Sequence, residues 1–327
     1  MQPFSYSSPA DPRVAMAEAA VPGAEVLAGG TDMMQLMKEG QRSPRHVVDI
    51  NGLPYRGIAV TAEGIRIGAL TRLSEAAEDQ ALRQGWPVVV EALEASASPQ
   101  VRNLATMGGN LLQRTRCLYF RDWATPCNKR QPGSGCPALD GQNRNNAVFG
   151  GSDRCIATHA SDLAVALVAL DTLVLTEGPN GPRRLPLADL HRLPGDSPQV
   201  ETVLQPGELI TALVIPASAA ARRSRYLKLR DRASFEWALV SAAAGIDLDT
   251  GGNIREARLA VGGVGTKPWR LPRIEQALIG ARLSPEALRP VAELAGEGAR
   301  PRNGNAFKVE LMKRAIVRAL LAAGEVT

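Results

Sequence analysis

Apolar positions recur along this chain with two periods, and the switches between them mark out short strands and helices. Residues 24–28 predict a strand that Gly29-Gly30 breaks, and 33–38 carry helical spacing up to Gly40. Residues 47–50 and 58–70 predict further strands, the second alternating around Gly57 and Gly64, and 87–95 a short helix of small apolar residues. A second glycine turn, Thr106-Met107-Gly108-Gly109-Asn110, follows Arg102-Asn103. Regularity then lapses until 162–175, where a helix through Leu170 runs into a strand. The last third has another texture. Residues 240–248 and 254–261 alternate as two strands joined by Asp249-Thr250-Gly251-Gly252-Asn253, a hairpin signature. Helices at 274–279 and 285–294 precede a longer one, in which Phe307, Leu311, Met312, Ala315 and Leu320 form the apolar stripe. Lys308, Lys313, Arg314 and Arg318 fall mostly on its polar side. A small-residue linker at 216–221 separates the two textures, and no tandem repeat is present.

Composition narrows the class. At 327 residues, with 45% apolar and 22% charged positions, the chain has material for two or three ordinary domains and is neither disordered nor fibrous. Aromatics make up only 4%, so the core must be built from Ala, Val, Leu and Ile, and platforms for stacking bases are scarce. The 38 basic residues are spread among 33 acidic ones, unlike the concentrated stripe of a nucleic-acid binder. The strongest apolar run, 164–170, ends at Asp171, far short of the roughly 20 residues a bilayer span requires. The N-terminal stretch reaches Asp11 before its first basic residue and predicts no secretory signal.

All four cysteines (Cys117, Cys127, Cys136 and Cys155) fall within one segment, spaced C-x9-C-x8-C-x18-C without the C-x2-C knuckles of zinc ribbons. Three readings are open on spacing: a metal or iron–sulfur site, two disulfides, or unrelated buried thiols. Size and the missing secretory signal lower the second. The metal reading gains from residues 113–152, which hold the five basic residues Arg114, Arg116, Arg121, Lys129 and Arg130 among many glycines and prolines and little periodicity. The arginines and lysine would offset thiolate charge, and a cluster would order a stretch that has little else to order it. A solvated basic loop is the plain alternative.

Glycine lets backbone N–H groups approach an anion closely, so each glycine turn could cradle a phosphate, and two together could close on a dinucleotide. Neither is the G-x-G-x-x-G fingerprint of a Rossmann domain. His46, His159 and His191 are scattered, with no H-x-x-H or H-E-x-x-H spacing, which disfavours a zinc hydrolase; no G-x-S-x-G elbow or Walker loop occurs either.

Taken in order, Val26-Leu27-Ala28-Gly29-Gly30-Thr31-Asp32, Arg102-Asn103 with Ala105-Thr106-Met107-Gly108-Gly109-Asn110, Ser161-Asp162, Lys228 with Arg230-Asp231-Arg232-Ala233-Ser234-Phe235, and Val261-Gly262-Gly263-Val264 with Pro268-Trp269-Arg270 resemble the FAD-binding subunit of the molybdenum hydroxylases. The resemblance covers nearly the whole chain. Cys127-Asn128-Lys129-Arg130 and Pro132-Gly133-Ser134-Gly135-Cys136 are similar to the bacterial periplasmic aldehyde oxidoreductase branch, whose flavoprotein carries an extra 4Fe–4S cluster. The 4-hydroxybenzoyl-CoA reductase flavoprotein is the nearest competitor.

This resemblance implies an α+β fold: a two-subdomain FAD-binding domain of the vanillyl-alcohol-oxidase (PCMH) type at 1–56 and 57–217, with a cluster insertion at 113–155, then a CO-dehydrogenase-flavoprotein-like α+β domain at 218–327. It implies that Val26 through Met33 wrap the FAD pyrophosphate, that Thr106, Gly109 and Asn110 form the second loop, and that Asp162 holds ribityl or ribose hydroxyls. Lys228 would lie near the flavin, and Ile210 would supply a backbone contact. The four cysteines would bind a 4Fe–4S cluster. The implied activity is that of the electron-transfer subunit of a heterotrimer with a 2Fe–2S small subunit and a molybdopterin-cofactor large subunit, with no nucleic acid or membrane partner. A self-sufficient flavin oxidase and a flavin-free zinc or iron–sulfur module are the competing classes. A signal-bearing partner would carry the chain to the periplasm; a cytoplasmic complex is the alternative.

Overall fold

The computed structural model describes residues 1–325. The chain builds three sheets in succession. The first is parallel, with β1 (Ser5–Ser7), β2 (Ala24–Leu27) and β3 (His46–Asp49) in the order β1-β3-β2. The helix Pro12–Ala19, capped by the Asp11 side chain and started by a proline, forms the β1–β2 crossover; its single buried pair, Ala15 and Met16, is too weak a stripe to predict from sequence. The helix Met33–Lys38 falls where the spacing placed it.

The second sheet is antiparallel: β4 (Ile58–Thr61), β5 (Gly64–Gly68), β6 (Leu173–Gly178), β7 (Gly181–Pro186) and β8 (Leu209–Pro216), in the order β4-β5-β8-β6-β7. The expected single strand over 58–70 is thus a hairpin, turned between Thr61 and Gly64, and its last residues leave the sheet. The central strand β8, which ends at Pro216, is buried along nearly all its length, so its apolar run shows no alternation.

The third sheet, β9 (Ser224–Leu229), β10 (Val240–Leu248), β11 (Ile254–Gly262) and β12 (Trp269–Arg270), is an antiparallel meander in the order β12-β11-β10-β9. The β10–β11 hairpin falls where the pattern placed it. The helix Phe307–Gly324 packs on β9 and β10, but Lys308, expected on its polar side, is fully buried.

The helix Asp162–Ala169 is buried on every side. It packs against β10 and β11 on one side and the helix Pro87–Glu94 on another, so it joins the second and third sheets. An all-round apolar helix has no polar face to offer solvent, which is why it can serve as an internal strut. The small-residue stretch at 216–221 is no open linker: it forms the short helix Ala219–Arg222, whose Ala220 and Ala221 are buried under β10. Among the described residues no helix is long and apolar enough to cross a membrane.

Candidate functional site

A cleft of about 880 Å³ opens where the first two sheets and the edge of the third meet. One wall is the loop leaving β2. There Val26, Ala28, Gly29, Gly30, Thr31, Asp32 and Met33 line the cleft, whereas Leu27, alternating in the strand, points away from it. The N–H groups of Gly29, Gly30, Thr31 and Asp32 find no acceptor within the described chain, so this turn presents unpaired donors to whatever fills the cleft. Gly30 takes φ +70°, a conformation costly for a side-chain-bearing residue.

The opposite wall is the second glycine turn. The Thr106 hydroxyl accepts from Gly109 N–H at 3.2 Å and starts the short helix Met107–Leu111. Asn110 Oδ1 accepts from the Ser161 hydroxyl at 2.6 Å. The two turns touch back to back: a Cβ on Gly29 would stand 2.1 Å from Leu104 O. Arg72 and Asn51, which sequence reading missed, clamp that junction. Asn51 Nδ2 donates to Ala28 O at 2.8 Å, Arg72 Nη2 donates to Asn51 Oδ1 at 3.0 Å, and Arg72 Nη1 donates to Leu104 O. Nothing in either residue's sequence neighbourhood marks this role, because the clamp exists only once three segments meet.

Asp32 and Asp162 line the cleft with carboxylates already engaged. Asp32 accepts from Arg114 N–H at 2.7 Å and from the Arg116 and Arg121 guanidiniums at 2.8 and 2.9 Å, which ties the first turn to the cysteine segment. Asp162 follows the helix N-cap, a role the Ser161 hydroxyl takes by accepting from Ala164 N–H. Its Oδ1 accepts from Tyr226 OH at 2.7 Å and its Oδ2 from Lys228 Nζ at 2.8 Å. Tyr226 and Lys228 share a face of β9 because strand side chains repeat every second residue. Burial and the Asp162 charge push the Tyr226 phenol well above its ordinary range, so it stays a donor. Lys228 also donates to Ala95 O at 3.0 Å. Asp162 thus holds Lys228 at the cleft wall while itself lining the cleft. Ile210, in β8, lines the cleft floor.

The four cysteines are free thiols and line one small cavity with Phe120, Asn128, Lys129, Asn146 and Ala157. Between them the chain is held by side chains bonded to main chain. Arg130 caps the carbonyls of Tyr119, Phe120 and Thr125, and Asn128 Oδ1 accepts from Gly135 N–H while Asn128 N–H donates back to Gly135 O, each at 2.8 Å. Burial pushes the Cys155 thiol up to about 12, and burial with the nearby Cys117 raises Cys136. Among the described residues no group of three His, Cys, Asp or Glu is placed to hold a single metal ion, which tells against mononuclear zinc. Lys129, Cys155 and Ala157 face both this cavity and the large cleft, so the two share a wall. His159 and His191, scattered in sequence, meet here with Nε2 atoms 3.1 Å apart, beside Leu111 O.

Residues 2–218 match the family described as the FAD binding domain in molybdopterin dehydrogenase, and 225–323 the CO dehydrogenase flavoprotein C-terminal domain. The chain belongs to the FAD-binding medium subunits of the molybdenum hydroxylases, and it is an FAD-binding oxidoreductase subunit. Among individual proteins, it is 46% identical to the aldehyde oxidoreductase FAD-binding subunit PaoB of Escherichia coli K12, with 99% of each chain covered. It is 26% identical to the xanthine dehydrogenase FAD-binding subunit of E. coli O157:H7, over 93% of this chain and 91% of that one. In structure it resembles carbon monoxide dehydrogenase from Hydrogenophaga pseudoflava, with TM-score 0.76, 26% identity and 99% and 98% of the chains covered.

Proposed function

We propose that this chain is the electron-transfer subunit of a heterotrimeric, molybdenum-dependent aldehyde oxidoreductase, and that Cys117, Cys127, Cys136 and Cys155 hold a 4Fe–4S cluster beside its FAD. The observation that carries the reading is the wall shared by the FAD cleft and the four-cysteine cavity. The donor set fits a cluster: four thiols converge, and polar N–H groups already point at the sulfurs, Ala157 N to Cys155 Sγ and Asn146 Nδ2 to Cys117 Sγ, each at 3.5 Å. A cluster places each thiolate on its own iron, so the sulfurs need not crowd one ion. Bound FAD and a cluster supply one-electron chemistry, and the flavin can also release electrons in pairs.

The residues of this chain bind, hold and shield. The unpaired N–H groups at 29–32 receive the pyrophosphate, Lys228 keeps a cation at the cleft wall, and Lys129, Cys155 and Ala157 form the wall between the two sites. The two matched domains are those of a flavoprotein subunit, and we assign aldehyde oxidation to a partner. We assign the partners as a 2Fe–2S small subunit and a molybdopterin-cofactor large subunit, with the chain carried folded to the periplasm if a partner bears an export signal. The test is purification of the natively expressed protein with flavin, iron and acid-labile sulfide assays. About four irons and four sulfides per chain are expected, with two partner chains. Zinc without sulfide, paired disulfides, or a lone monomer reduced directly by aldehyde would overturn the proposal.

A further inference from the structure

Lys308, in the first turn of the C-terminal helix, has no exposed surface. Among the described residues no carboxylate meets it; its Nζ donates instead to Gly263 O at 2.7 Å and Asn146 O at 3.1 Å. Burial, aided by the Arg144 charge, pushes its ammonium down to about 7. A buried cation without a counter-charge is costly, by several kcal/mol, and fixing two carbonyls is work a neutral donor could do. Asn146 shows where the charge is directed. Its side chain donates to Cys117 Sγ at 3.5 Å, so a single residue separates the ammonium from the cysteine cavity. On the far side of Asn146 the four cysteines line one small cavity. A negatively charged group ligated by their sulfurs would supply the counter-charge that the ammonium lacks.

We infer that Lys308 is the interior counter-charge of the four-cysteine site, a positioning residue that acts through Asn146 to raise the reduction potential of the cluster bound there. The inference rests on the cluster reading above. When the site takes one electron from an external one-electron donor such as dithionite, negative charge is added behind Cys117, and the Lys308 ammonium stabilises it through space without giving up its proton. The charged group facing Lys308 from the cysteine segment is Arg144; the Gly263 turn contributes only a carbonyl, and Asn305, leading into its own helix, is neutral.

The experiment is an EPR-monitored redox titration of the purified complex carrying Lys308→Met, which keeps the side chain's length and removes its charge. Iron and sulfide should stay at wild-type levels while the cluster midpoint falls by at least a tenfold change in the reduced-to-oxidised ratio, about 59 mV for one electron. An intact cluster with an unchanged midpoint overturns the inference and leaves the cluster reading standing. If the variant does not fold, Lys308→Gln, a neutral donor able to keep a carbonyl bond, takes its place with the same fall in midpoint expected, and an unchanged midpoint in it overturns the inference. Wild-type protein without iron and sulfide overturns the cluster reading, and this inference with it.

Discussion

Asp162, Lys228 and Tyr226 form a deeply buried charged group at the cleft, with the two charged side chains only 7% and 5% exposed. Removing one charge of such a pair leaves the other unpaired in a low dielectric, which costs about 3–5 kcal/mol, whereas replacing both with apolar groups of similar size can be nearly neutral. Asp162→Ala should therefore destabilise the protein by about that amount, while Asp162→Leu with Lys228→Met should recover most of the loss yet still bind FAD weakly. Chemical denaturation alongside flavin fluorescence checks both halves; equal destabilisation by the single and the double variants would refute the pairing argument.

The two glycine turns act as one unit only because their backs touch. At Gly29 the limit is contact rather than torsion, since a single methyl there would meet Leu104 O. Gly29→Ala should push the turns apart and weaken FAD binding more than tenfold, with the fold retained on circular dichroism. At Gly30 the limit is torsion, and Gly30→Val should also lose FAD from a folded chain. Full flavin occupancy in both variants would remove this loop from the site. Arg72→Ala, which opens the same junction from behind, should weaken FAD binding without touching any cleft-lining glycine. Asp32 extends this coupling to the cysteine segment, so Cys117→Ser or Cys127→Ser in the proposed cluster site should lower FAD occupancy as well as iron content.

Across the molecule, His159 and His191 join the second glycine turn, the stretch after Cys155 and the chain following Leu190. Burial above all holds both below their ordinary value of 6.5, so the folded protein keeps them neutral. Below that pH the unfolded chain binds more protons than the folded one, and stability falls with falling pH. The thermal midpoint should drop as pH is lowered through about 6.5 towards 5, and His159→Gln with His191→Gln should flatten that drop. An unchanged slope in the double variant would place the acid sensitivity elsewhere.

The sequence by itself determined the elements whose signals are local. The Gly29-Gly30 break, the helix at 33–38, the hairpin around Gly251-Gly252 and the gathering of four cysteines all depend on neighbours along the chain, and the ordered motifs were enough to place the protein in its family. Tertiary structure decided what depends on distant segments. The central place of strand β8 shows no alternation to read because both its faces are covered, and the alanines at 219–221 passed for a linker because small residues suit either an open chain or a tight burial. Lys308 read as a surface lysine because helical periodicity reports which face is apolar on average and not which single charge the interior accepts. The engagement of Asp32 by arginines, the seating of Lys228 on Asp162 and the wall between cleft and cysteine cavity arise from the same cause: each is a contact between residues tens of positions apart, and hydrogen bonds and charge pairs carry no period along the chain.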